Sequence, residues 1–144
     1  MKKLSLSILS IILIFNGISI YSFQTKLSFE DIPLSPDIEE LIDNSTTRVL
    51  FLFGIICVGG CPIGNYIQKI KNETDVVYVL PRECNTNDIA NFRRGLSVKG
   101  KIVIATEKNI EFVKLLAEKM EKDDFKENFI LELKNRKIID IKVY

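Results

Sequence analysis

The sequence predicts an α/β sandwich, a central mixed sheet with helices on both faces that finishes in a C-terminal β-hairpin. Three observations lead there. Two short apolar runs, Val49-Leu50-Phe51-Leu52-Phe53 and Val76-Val77-Tyr78-Val79-Leu80, lack polar alternation, as strands buried on both faces do. Each is followed by apolar residues at helical spacing, the βαβ order of parallel strands. The last stretch instead holds two strand-like runs joined by a polar turn, the pattern of a hairpin.

In chain order, residues 24–36 are mixed in character and carry Pro33 and Pro36, so they read as an irregular lead-in or an edge strand. Ser35 as N-cap and Pro36 at the first helical position open a short helix to about Asp43. A strand follows over Arg48 to Ile56, bounded by polar residues 44–47 and by Gly59-Gly60. After Pro62, the apolar residues Ile63, Tyr66, Ile67 and Ile70 repeat at helical spacing, with Lys69 and Lys71 on the wet side. Val76 to Leu80 is the second strand, closed by Pro81. Asn85 and Asp88 form a capping box that opens a helix with Ile89, Phe92 and Leu96 inward. Lys101 to Ala105 is a third strand, and Asn109 to Lys122 a helix with Ile110, Val113, Leu116, Ala117 and Met120 on one face. In the hairpin, Phe129 to Leu133 and Ile138 to Val143 flank a turn at Lys134 to Lys137, with Ile139, Ile141 and Val143 alternating with Asp140 and Lys142. Phe51, Phe53, Phe92 and Phe112 fall on core faces and read as packing.

Composition narrows the function. Of 144 residues, 20 are basic and 19 acidic, so no electrostatic footprint for nucleic acid is visible. There is no histidine, which excludes Ser-His-Asp hydrolysis and imidazole metal sites. Met1-Lys2-Lys3, the apolar stretch Leu4 to Phe15 and small residues at Ser19 and Ser22 predict a signal peptide over residues 1–22. A retained anchor is the alternative, because apolar character continues to Phe23. Either way one domain, residues 23–144, is expected outside the cytosol, periplasmic or extracellular, where a cysteine pair stays oxidised. Membrane contact is expected only if the N-terminal segment is retained.

The chemistry concentrates in Phe53-Gly54-Ile55-Ile56-Cys57-Val58-Gly59-Gly60-Cys61-Pro62. Pro62 fits a first helical position, which makes Cys61 the N-cap and Cys57 to Gly60 a loop. Within one regular helix the Cβ atoms of Cys57 and Cys61 would lie ~5–6 Å apart, whereas a disulfide needs about 3.5–4.5 Å. Gly59-Gly60 relieves this, because residues without a Cβ adopt positive φ and fold Cys57 over the helix start. Cys57 is then the exposed nucleophile, its thiolate favoured by the helix N-terminus, and Cys61 the resolving thiol. The competing readings of the pair are a structural bridge and a Cu(I) site, since soft thiolates select that ion and the chain lacks a four-ligand zinc set. Cys84, after the second strand, is expected at the same end of the sheet as an auxiliary thiol, a third sulfur ligand or a spare cysteine. Arg82, Arg93 and Arg94 are candidates to stabilise a thiolate, or simply a solvated face. The acids Glu30, Asp31, Glu39 and Glu40 read as surface.

The element order, the cysteines at the end of the first long strand and the closing FILELKNRKIIDIKV together resemble the thioredoxin-like superfamily over residues 29–144. The likeness is to the secreted thiol-disulfide oxidoreductases and peroxiredoxin-like redoxins that carry an extra strand and helix before the final hairpin. It implies a thioredoxin-like three-layer sandwich, no cofactor, protein thiols or disulfides as substrates, and a separate recycling reductant or oxidant. The family's usual motif has two residues between the cysteines and an aromatic before the first, whereas here three intervene and Ile56 precedes. The Cys-x-x-x-Cys-Pro form also resembles the copper-delivery branch, whose histidine ligand this chain lacks. The family's cis-proline before the hairpin has no counterpart in Phe125 to Phe129. A catalytically silent binding module or Cu(I)-thiolate carrier is therefore the alternative to an exported thiol-disulfide oxidoreductase.

Overall fold

The computed structural model describes residues 32–54, 56, 60–122 and 127–144. The expected signal segment, and Glu30 and Asp31, lie outside them. Among the described residues, four helices and the strands of one five-stranded mixed sheet follow as α1 (Pro36–Leu41), β1 (Arg48–Leu52), α2 (Pro62–Ile70), β2 (Val76–Leu80), α3 (Thr86–Leu96), β3 (Lys101–Ile104), α4 (Glu107–Lys119), β4 (Asn128–Lys134) and β5 (Lys137–Val143). Among the described residues no helix is long and apolar enough to cross a membrane.

The sheet order is β3-β2-β1-β4-β5. β1, β2 and β3 run parallel, and β4 and β5 are antiparallel to their neighbours. The most apolar strands therefore take the centre. Along them, alternate residues serve opposite layers. Val49, Phe51, Val77 and Val79 pack with Ile38 of α1 and with Phe112, Val113 and Leu116 of α4. Leu50, Leu52, Tyr78 and Leu80 pack with Ile63, Ile67 and Ile70 of α2 and with Leu96 of α3. The three-layer α/β arrangement follows directly: strands with two apolar faces need helices on both.

Several boundaries, and the facing of one strand, differ from the sequence expectation. β1 ends at Leu52, not Ile56, because its pairing with β4 stops where Leu52 meets Asn128. α1 ends at Leu41, short of Asp43, whose carboxylate instead accepts the Ser45 and Thr46 N–H groups at 2.8 and 2.9 Å. α4 begins two residues before Asn109, since Thr106 and Asn109 cap each other reciprocally. Ile139 is 49% exposed: the register shifts between Glu132 and Leu133, which pair with Asp140 and Ile138 and leave Ile139 as the extra residue of a bulge. The inward positions are Ile138, Ile141 and, partly buried, Val143. Asn135 and Arg136 both have positive φ, 52° and 61°, as a two-residue type I′ hairpin turn requires.

Tyr78 is fully buried in β2, its ring 5.7 Å from that of Phe92, and its hydroxyl finds no hydrogen-bond partner among the described residues. Burial, reinforced by the Glu73 carboxylate, pushes the Tyr78 phenol up to about 12. The unfolded tyrosine ionises near 10 while the folded one stays protonated. Its contribution to stability is thus complete below about pH 10 and is lost as pH rises through about 12. Tyr78→Phe is expected to flatten this alkaline loss and, by removing an unpaired buried hydroxyl, to raise stability by ~1 kcal/mol at neutral pH. Urea melts of both proteins at pH 7 and between pH 10 and 12 measure it.

Candidate functional site

The parallel strands deliver their carboxyl ends, with the loops that follow, to one end of the sheet, the usual location of chemistry in open α/β folds. Cys61 stands there as the N-cap of α2, with extended backbone (φ −96°, ψ 152°) and Pro62 at the first helical position, as expected. Its carbonyl accepts the Asn65 N–H at 3.0 Å, the first bond of the helix. Its side chain makes no capping hydrogen bond, because the sulfur is disulfide-bonded. The amphipathic face of α2 explains its placement: Ile63, Ile67 and Ile70 are driven onto the sheet, and the helix N-terminus is thereby held at the β1 exit.

Gly60 has φ +112°, which a side chain would strain although a Cβ there would meet nothing within 4 Å. This is the positive φ the glycine pair was expected to supply. Gly59 and Cys57, with residues 55 and 58, lie outside the described residues.

Cys84 lies beyond β2, in a turn closed by its N–H on the Pro81 carbonyl at 3.1 Å. It carries a free thiol. Cys61 and Cys84 both pack, half-buried, against the cluster between the sheet and helices α2 and α3. The structure thus brings the two to the same end and the same face of the sheet. Their chemistry differs. Burial, then the Asp88 and Glu83 carboxylates, push the Cys84 thiol up, and the Asp88 carboxylate is fixed nearby by the 2.7 Å bond it accepts from the Asn85 N–H. Cys84 is accordingly protonated at neutral pH and a weak nucleophile.

The basic candidates separate. Arg82 ion-pairs with Glu107 at the start of α4, whereas Arg93 and Arg94 lie in the last turn of α3, the opposite end of that helix from Cys84. There they complement the helix dipole. Glu39 and Glu40 are exposed on α1. Among the described residues no three or more Cys, Asp or Glu side chains stand together as a metal site.

One residue at this end escaped the sequence reading. Asn128, the first residue of β4, is buried, and its Oδ1 accepts the Gly54 N–H at 3.0 Å. Gly54 lies just past β1 and ahead of the cysteine segment in sequence. An asparagine ahead of an apolar run reads locally as a turn residue, and only the strand pairing reveals its partner. Among the described residues no peptide bond is cis. Comparison with known proteins found no family model, curated protein or solved structure that matches this chain.

Proposed function

We propose that this protein is an exported thiol-disulfide oxidoreductase of thioredoxin-like fold, working through a Cys57/Cys61 dithiol. The observation that carries the reading is Cys61 itself: a disulfide-bonded N-cap, followed by proline, at the carboxyl end of a central parallel strand. Cys84 is free, and in this proposal the partner of Cys61 is Cys57. A positive helix end beside a sulfur lowers the energy of its thiolate, so the reduced pair is activated where it is exposed. The strand order, with parallel strands on one side of β1 and an antiparallel hairpin on the other, supports the same family.

In the reductive direction the Cys57 thiolate attacks one sulfur of a substrate disulfide. The substrate S–S bond breaks, a Cys57 mixed disulfide forms, and the departing substrate thiolate takes a proton from water. Cys61, as thiolate, then attacks Cys57. This closes the Cys57–Cys61 disulfide and releases the second substrate thiol. The substrate gains two electrons and the protein loses two, which a dithiol reductant restores. Reduction of a protein disulfide by the full chain, with a small dithiol as recycling reductant, tests the reading. Turnover above the rate of the dithiol alone is expected, and a rate equal to it would refute catalysis.

A further inference from the structure

Asn128 sits where the sheet stops. It is 3% exposed and faces Leu52, the last residue of β1, in antiparallel register. Its main chain is tied on the other side: its N–H donates to the Tyr144 carbonyl at 3.0 Å, and its carbonyl accepts the Tyr144 N–H at 2.9 Å. On this fixed backbone the side chain reaches across to accept the Gly54 N–H at 3.0 Å. The β1–β4 ladder has ended by then, so a side chain supplies the bond that main-chain carbonyls supply along the strand.

The two described ends of the segment from Gly54 to Cys61 are therefore both anchored. Gly54 is held from β4, and Cys61 is held as the N-cap of α2. Residues 55–60, Cys57 among them, lie between these anchors. Fixed ends favour a disulfide within the span, because opening the bond then releases less chain freedom. Resting on the dithiol reading above, we infer that Asn128 is a positioning residue for the Cys57–Cys61 couple: through Gly54 it fixes the upstream end of the loop and lowers the couple's reduction potential.

Two substitutions separate the hydrogen bond from packing. Asn128→Leu keeps similar volume and removes the acceptor, while Asn128→Asp keeps an acceptor in place. The full chain and both variants are equilibrated in graded glutathione buffers and read by alkylation and peptide mass spectrometry, with far-UV circular dichroism as the check on folding. Asn128→Leu is expected to favour the reduced form about tenfold, which is a rise of ~30 mV in midpoint, and Asn128→Asp to remain at or below the unsubstituted value. An Asn128→Leu midpoint equal to that of the unsubstituted chain, or an equal rise in both variants, overturns the role of Asn128 and leaves the dithiol reading standing. Lack of any reversible couple in the unsubstituted chain overturns the dithiol reading and this inference with it. Should Asn128→Leu not fold, Asn128→Ala takes its place under the same criteria.

Discussion

Gly100→Ala is expected to lower the unfolding free energy by ~3 kcal/mol or more. A Cβ at Gly100 would stand 2.3 Å from the Val76 carbonyl oxygen and 2.9 Å from a ring carbon of Tyr78. Neither neighbour can retreat. Val76 opens β2 and is registered opposite Arg48 of β1, and the Tyr78 ring is fully buried and packed at a tilt against Phe92. Gly95 is the internal control: it lies within α3, and a Cβ there meets nothing within 4 Å. Gly95→Ala should therefore stabilise by ~0.5–1 kcal/mol through helix propensity alone. Denaturant midpoints of the two variants, read against the unsubstituted chain, should move in opposite directions. Equal midpoints would show that the backbone around Gly100 yields more than the β2 ladder allows.

On the proposed dithiol mechanism, Cys57→Ser is expected to reduce disulfide-reductase turnover to background, a fall of roughly 100-fold or more, because that mechanism loses its attacking sulfur. Cys61→Ser should instead accumulate a Cys57 mixed disulfide with the substrate, visible as a covalent adduct on a non-reducing gel. The two outcomes distinguish the attacking thiol from the resolving one. Cys84→Ser serves as the comparison, since burial and the neighbouring Asp88 and Glu83 keep that thiol protonated. It should leave turnover within about twofold of the unsubstituted protein. If Cys57→Ser retains full turnover while Cys84→Ser loses it, the roles assigned to the three sulfurs are wrong.

Local chemistry made several elements legible from sequence. Val49 to Leu52 and Val76 to Leu80 are buried on both faces, so their apolar character is continuous and marks central strands. Pro62 after Cys61, and Asn85 with Asp88, mark helix starts by capping chemistry, and the structure has both. The end of β1 and the facing of β5 depend on distant partners. Phe53 and Ile56 are apolar enough to continue β1, yet the strand stops with the pairing to Asn128, 76 residues beyond Leu52. The alternation of Ile139 with Asp140 looked regular, but a bulge opposite Glu132 and Leu133 changes which side chains face inward. α4 begins early because Thr106 and Asn109 cap it, a pairing that departs from the usual Ser/Thr with Glu/Gln pattern.

The site divides in the same way. Cys61, Pro62 and Gly60 carry their roles in their own backbone preferences, so spacing alone located the helix start and the glycine hinge. Asn128 was invisible to that approach. Its hydrogen bond joins residues 74 apart in sequence, and nothing in Glu127-Asn128-Phe129 announces a partner across the sheet. The free Cys84 lies between these cases: strand order placed it at the correct end, while its protonation depends on how the α3 cap positions Asp88.

The most direct test of the central claim is the reduction midpoint of the Cys57–Cys61 pair in the full chain, equilibrated in graded glutathione buffers and read by alkylation and peptide mass spectrometry. A reversible two-electron couple between about −270 and −120 mV, the span of catalytic dithiols, is the expected result. A bond that resists reduction below about −300 mV would mark a structural bridge and contradict the oxidoreductase reading, and a pair that never closes would contradict it in favour of a thiolate site for Cu(I).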